Sequence, residues 1–148
     1  MTRRFEIRVM SWPDALPLAR PVREKVFIEE QGVSRELEWD DKDAVSDHAV
    51  AFDDKGTAIG TGRLLPDGHI GRMAVLASRR GEGVGGALLQ SLLELARAKG
   101  MRGITLSAQT HAAGFYRKFG FVPAGEEFEE AGIPHIEMNV TLSGRPSA

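Results

Sequence analysis

The stretch Arg79-Arg80-Gly81-Glu82-Gly83-Val84-Gly85-Gly86 is the part of this 148-residue chain best suited to hold an anion. It follows the apolar run Met73-Ala74-Val75-Leu76 and leads into a helical pattern that begins at Ala87. Glycine lets the backbone turn tightly and approach a ligand. The first turn of a helix leaves N–H groups free, and its dipole favours negative charge there. Arg79 and Arg80 add positive charge at the same mouth. The expected ligand is a phosphate, held mainly by backbone.

Three kinds of phosphate loop fit such a turn, and neighbouring residues separate them. Gly81, Gly83 and Gly86 satisfy G-x-G-x-x-G, but a dinucleotide site needs an acidic residue about 20 positions on. Ser107-Ala108-Gln109 stands there instead. A nucleotide-triphosphatase loop ends in Lys followed by Ser or Thr, where this chain has Gly86-Ala87. What remains, Arg80-x-x-Gly83-x-Gly85, resembles the pyrophosphate loop of the GCN5-related N-acetyltransferases, which grips coenzyme A. A ligand-free turn is the bland alternative, but three flexible glycines cost stability without a use for them.

Composition bounds the other possibilities. With 42% apolar and 27% charged residues, the chain reads as one globular domain, residues 1–148, able to bury a core. No apolar run is long enough to span a bilayer and no hydrophobic segment follows Arg3 and Arg4, so a cytoplasmic location away from membranes is expected. Without cysteine there are no disulfides, thiolate metal sites or cysteine nucleophile. His48, His69, His111 and His135 show no ligand spacing, so no metal is expected. A net charge of −2 with no basic run beyond Arg79-Arg80 speaks against nucleic acid as a partner.

The elements that must position the loop follow from periodicity and punctuation. Alternation over residues 5–10 predicts a strand, and Ser11 ahead of Pro13 predicts a helix start. Pro17 and Pro21 are expected to split that helix, with a second piece over about 22–30. Residues 36–47 read as an acidic loop holding at most one short turn. Strands over 48–52, 57–65 and 70–76, separated by Asp53-Asp54-Lys55-Gly56 and Pro66-Asp67-Gly68, form an antiparallel meander. Leu88, Leu89, Leu92, Leu95 and Ala96 recur at helical spacing over 85–99, and Gly100 stops them. A buried strand over 104–108, a short helix over 112–119 and a hairpin of 121–128 with 135–142 complete the pattern, and 143–148 are expected to fray.

This order of elements is that of the acetyltransferase family named above. Ala112-x-x-Phe115-Tyr116-Arg117-Lys118-Phe119-Gly120-Phe121 is similar to its second signature, Ala-x-x-x-Tyr-x-x-x-Gly-Phe. Val22-Arg23-x-x-Val26-Phe27-x-x-Glu30-Gln31-Gly32-Val33, Glu38-x-Asp40-x-x-Asp43, His48 and Gly132-Ile133-Pro134-His135-Ile136-x-Met138 resemble the ElaA-like branch. The chain departs at Gln109, where the family often has Asn seven residues before its tyrosine. The resemblance implies an α/β fold, with a mixed, mainly antiparallel sheet of six to seven strands flanked by about four helices.

It also implies a reaction: direct transfer of an acetyl group from acetyl-CoA to the primary amine of a small molecule or peptide, in a ternary complex. Backbone N–H groups of Met73, Ala74 and Val75 would meet the thioester oxygen. Arg80, Gly81, Glu82, Gly83, Val84, Gly85 and Gly86 would hold the pyrophosphate, and Gln109 the pantetheine arm. Tyr116 falls at the general-acid position, and a phenol titrating near about 10 can protonate a thiolate whose thiol titrates near about 8.5. Glu30, Glu38, Asp40, Asp43, His48, His111 and His135 are candidates to take the amine proton, with Glu30, His48 and His135 expected at the acceptor. The acidic segments 36–43 and 126–130 border the acceptor side in the family and would favour a cationic amine, although such runs are commonly just solvated loops. A monomer or homodimer is expected. The alternative is a coenzyme-binding module without catalysis, against which the retained tyrosine speaks.

Overall fold

In a computed structural model, which describes residues 5–142, strands β1 (Phe5–Met10), β2 (Asp47–Asp53), β3 (Ala58–Leu64) and β4 (Ile70–Val75) pair antiparallel in chain order. The turns are built as their composition requires. The Asp53 carboxylate accepts the N–H groups of Lys55 and Thr57, each at 2.9 Å, and Gly68 supplies a left-handed φ of 95°. A second sheet contains β5 (Gly103–Gln109), β6 (Val122–Pro123), β7 (Phe128–Glu130) and β8 (Ile133–Thr141), all antiparallel to β8. The expected tail, residues 143–148, lies outside the described residues.

The sheets join at one parallel bridge, His69 to Thr105, where the Thr105 N–H donates to Gly68 O at 3.0 Å. Beyond it no further pairing links β4 to β5 among the described residues. A slot therefore opens toward Val75 and Gln109. The expectation of one sheet of six to seven strands is corrected to eight strands in two sheets. The segment expected at 121–128 breaks after Pro123, near Gly125 at φ 117°, into β6 and the later β7. The hairpin turn is also tighter than expected. Ala131 at φ 53° and Gly132 at φ 78° form a two-residue turn, so Glu129 and Glu130 pair with Pro134 and Ile133.

The expected break at Pro17 and Pro21 is likewise corrected. Helix α1 (Trp12–Arg23) runs through both prolines and continues as a π-helical stretch, Glu24–Glu30. Pro13, Pro17 and Pro21 are spaced by four, and all three are exposed, so the carbonyls deprived of an N–H partner face water. One-turn α2 (Arg35–Glu38), α3 (Val84–Ala98) and short α4 (Ala113–Arg117) complete the helices. Among the described residues three α-helices exceed four residues where about four were expected, because the two pieces anticipated over 12–30 are one.

Helix α3 buries Leu88, Leu89, Leu92 and Leu93, each worth roughly 1.5–3 kcal/mol on removal from water. It presses close on β3 because Gly60 and Gly62 carry no side chain. A Cβ on Gly60 would lie 3.0 Å from Leu88 Cδ1, and one on Gly62 would collide with Met73 Sδ. No helix among the described residues is long and apolar enough to cross a membrane.

Candidate active site

The glycine loop reaches α3 through Gly81 at φ 84° and Gly83 at φ 89°, left-handed conformations that glycine adopts without a Cβ penalty. Nothing lies within 4 Å of where a Cβ would stand on either. Gly83 is the N-cap of α3, and the first helical bond is from Ala87 N–H to Gly83 O at 3.1 Å. The N–H groups of Val84, Gly85 and Gly86 are thus without helical partners. Gly81, Gly83, Val84, Gly85 and Gly86 line a cleft of about 1080 Å³, which suits the phosphates of an extended coenzyme.

The two arginines at this mouth are already matched. Arg79 meets Glu82 at 3.0 Å and Asp53 at 3.6 Å, which turns the Glu82 side chain away from the cleft. Arg80 grips Glu30 in a fork at 2.6 and 2.8 Å, and its Nε donates to Val75 O at 3.0 Å. The hydrogen bond from Arg80 holds the Glu30 carboxyl below its ordinary range. Glu30, expected at the acceptor, lines the cleft and ties the end of the π-helical stretch to the glycine loop, in a surface pair of modest worth. Next to it, Gln31 Oε1 accepts from Gln109 Nε2 at 3.0 Å, so the amide expected on the pantetheine arm is held across the slot.

Strand β4 is irregular where the slot opens. Thr61 pairs with Ala74 and Arg63 with Gly71, so β4 carries one residue more than β3 in this interval. Such a bulge leaves a residue out of the ladder and re-aims its neighbours. Met73, Ala74 and Val75 follow it and line the cleft.

Across the slot, Tyr116 lies edge-on to Phe115 at 5.0 Å and to Phe121 at 6.0 Å between ring centroids. Its hydroxyl has no hydrogen-bond partner among the described residues. Burial pushes the phenol up to about 12. At any ordinary pH it is a protonated donor facing the cleft.

The acidic segment is not a solvated rim. Arg23 of α1, 1% exposed, bonds Glu38 and reaches Asp43 at 2.9 Å. Arg63 of β3 meets Asp43 at 2.9 Å and Asp40 at 2.8 Å. Arg72 of β4 meets Asp40 at 3.3 Å and Glu38 at 3.4 Å. Three guanidiniums thus match three carboxylates. The Arg23 guanidinium lies 5.6 Å from the Trp12 ring and 4.7 Å from Trp39. The Arg63 hydrogen bond holds the Asp40 carboxyl down to about 2, whereas burial pushes Glu38 up against its arginines.

His48 belongs to this cluster and not to the cleft, which corrects the expected acceptor contact. It is 1% exposed, its Nε2 sits 2.9 Å from Asp43 O, its ring lies 4.7 Å from Trp12, and burial lowers its affinity for a proton. His135 does line the cleft, with Nδ1 2.7 Å from Ile133 O and its ring stacked on Phe128. His69, which the sequence did not single out, lines it too, with Nδ1 3.1 Å from Asp67. Arg63 and Arg72 were also passed over. Charges set inside strand patterns were the available signal, because a buried guanidinium requires carboxylate partners. Among the described residues no cluster of three or more His, Asp or Glu is arranged to hold a metal ion.

The family model described as an acetyltransferase (GNAT) domain matches residues 19–142, from within α1 through the last described residue. The chain belongs to the GNAT acetyltransferase family. Family members use acyl-coenzyme A, and the open glycine loop at α3 is consistent with that donor. An uncharacterized N-acetyltransferase of Bacillus subtilis, YjcF, is 42% identical over 121 residues, covering 79% of this chain and 86% of its own. A crystal structure of an N-acetyltransferase described as putative, from Lactobacillus plantarum, superposes with TM-score 0.85 at 29% identity, covering 95% of this chain and 99% of that one. Escherichia coli ElaA superposes with TM-score 0.81 at 29% identity, covering 92% and 99%. Within the GNAT family the chain is an ElaA-like member.

Proposed function

We propose that this protein transfers an acetyl group from acetyl-CoA to a primary amine, with both substrates bound together. The observation that carries this reading is the convergence in one cleft of the glycine loop, the β4 bulge and the protonated phenol of Tyr116. The loop N–H groups hold the pyrophosphate. Those N–H groups of the stretch Met73, Ala74 and Val75 that face away from β3 stabilise the thioester oxygen as the amine nitrogen attacks the carbonyl carbon. The N–C bond forms, the C–S bond breaks, and Tyr116 gives its proton to the departing sulfur.

The attacking amine loses a proton in turn. His135 and His69 each direct Nδ1 at an oxygen, Ile133 O and the Asp67 carboxylate, so in the neutral ring Nδ1 carries the proton and Nε2 is the basic atom. Either ring is suited to receive it. Because Glu38, Asp40 and Asp43 are matched by arginines, steering of a cationic amine rests on the exposed Glu36, Asp41, Glu126, Glu127, Glu129 and Glu130. We place the reaction in the cytoplasm.

Thermal shift with acetyl-CoA tests the donor. A hundredfold excess over the dissociation constant stabilises by about 2.7 kcal/mol, or roughly 5–11 °C for a domain of this size. Free-thiol release across a panel of amines then identifies the acceptor. An unshifted melting temperature at millimolar acetyl-CoA, with no heat of binding in calorimetry, would refute the reading.

A further inference from the structure

Arg72 stands at φ 51°, in the left-handed region, although it carries a full side chain. That conformation is strained for a residue with a Cβ and persists only where the surroundings enforce it. The enforcing contacts cross a long stretch of sequence. Arg72 Nε and Nη2 lie 3.3 and 3.2 Å from the Glu38 carbonyl oxygen, and Nη2 lies 3.3 Å from Asp40 Oδ2. These partners are themselves fixed. Glu38 is bonded to Arg23, Asp40 to Arg63, and Asp43 to both arginines, with Glu38 and Arg23 only 2% and 1% exposed.

The moored residue is also the one at which β4 leaves its regular pairing, immediately before Met73. A bulge held only by its own ladder could slide by a residue. Here Glu38 and Asp40, outside the sheet and fixed by a charge-matched cluster with Arg23 and Arg63, hold its guanidinium. We propose that Arg72 is a positioning residue: its attachment to Glu38 and Asp40 fixes the β4 bulge and so aims those N–H groups of the stretch Met73, Ala74 and Val75 that face away from β3 at the acyl oxygen. The segment beside the acceptor and the acyl-oxygen site then move as one unit. This inference rests on the acetyl-transfer reading above.

The test compares acetyl-CoA with CoA on uniformly ¹⁵N-labelled protein. Amide signals of Gly83, Val84 and Gly85 report the pyrophosphate, which both ligands share. Those of Met73, Ala74 and Val75 report the acyl oxygen, so in the parent they shift further with acetyl-CoA than with CoA. Arg72→Gly accepts φ 51° but has no side chain to moor. In it the loop signals should respond as in the parent, while the acetyl-specific shift falls by more than half. An undiminished acetyl-specific shift overturns the proposal. If Arg72→Gly does not fold, Arg72→Lys carries the same comparison with the same two outcomes, since a single ammonium cannot reproduce the contacts of the planar fork. Unmoved Gly83, Val84 and Gly85 signals in the parent would overturn the coenzyme reading instead.

Discussion

Replacing Tyr116 with phenylalanine separates packing from proton transfer. The ring contacts to Phe115 and Phe121 survive, and the lost hydroxyl has no partner among the described residues. Stability should change by less than about 1 kcal/mol, or less than about 4 °C in melting temperature. The kinetic effect follows from the phenol's environment. At about 12, it gives a proton uphill by about 3.5 pH units to a thiolate whose thiol titrates near about 8.5, a cost of about 5 kcal/mol if the thiolate formed free. The same apolar surroundings raise the thiol, and transfer during C–S cleavage avoids a free thiolate. In the variant the donor becomes water, near about 15.7, so the available acid is weaker by roughly 3.7 pH units. If about half of that difference is felt in the transition state, turnover falls about seventyfold, near 2.5 kcal/mol. Thiol release measured against pH, with acetyl-CoA affinity from calorimetry, checks this. Parent-like turnover at unchanged affinity across about pH 6–10 would show that another group protonates the sulfur. In the parent, an alkaline fall in turnover near about pH 9 would come from a group other than Tyr116, which stays protonated there.

Gly85→Asp should abolish acetyl-CoA binding in calorimetry while circular dichroism stays native, because its Cβ would sit at an ordinary 3.7 Å from Phe115 and its charge would face the phosphates. Gly83→Asp should do the same with a further cost of about 1–2 kcal/mol for the left-handed backbone. Arg23→Met removes the buried cation between Glu38 and Asp43, leaving Asp43 to Arg63 and Glu38 to the more exposed Arg72, and should cost roughly 3–5 kcal/mol, lowering the melting temperature by about 6–20 °C in a thermal scan. Acid titration of stability by denaturant should show two contributions. Below about pH 6.5 the unfolded chain protonates His48 while the buried ring resists, so stability falls as pH drops. The contribution of Asp40 is complete above its ordinary pKa of 3.8 and is lost as pH falls toward about 2.

Helix α3, the meander and the glycine loop were legible because each is written locally, in a 3.6-residue repeat, in alternation, or in residues that demand a particular backbone. The continuity of α1 was not, because whether a proline breaks a helix depends on where the orphaned carbonyl points, and only the packed face decides that Pro17 and Pro21 look outward. The segment around Glu38, Asp40 and Asp43 read as an acidic loop bordering the acceptor. Its partners lie 15 to 34 residues away in sequence, and nothing local pairs Arg23 with Glu38 or Arg72 with it. His48 was misplaced for the same reason. Tyr116 and the loop were located by motif, whereas the capture of Arg80 by Glu30 and of Gln109 by Gln31 depends on two elements converging across the slot.

The bare surface of β3 has a consequence for the coenzyme itself. A pantetheine arm has a fixed reach, so an enzyme that grips one end at a helix terminus and the other at a bulge must keep those two points at a constant separation. Val84 and Leu88 of α3 lie where a Gly60 side chain would stand, and Met73 fills the space over Gly62. In the binding mode proposed above, both ends of the arm would be gauged from one strand, two residues apart. Even a methyl group at either glycine would recalibrate the ruler without touching a single reacting atom.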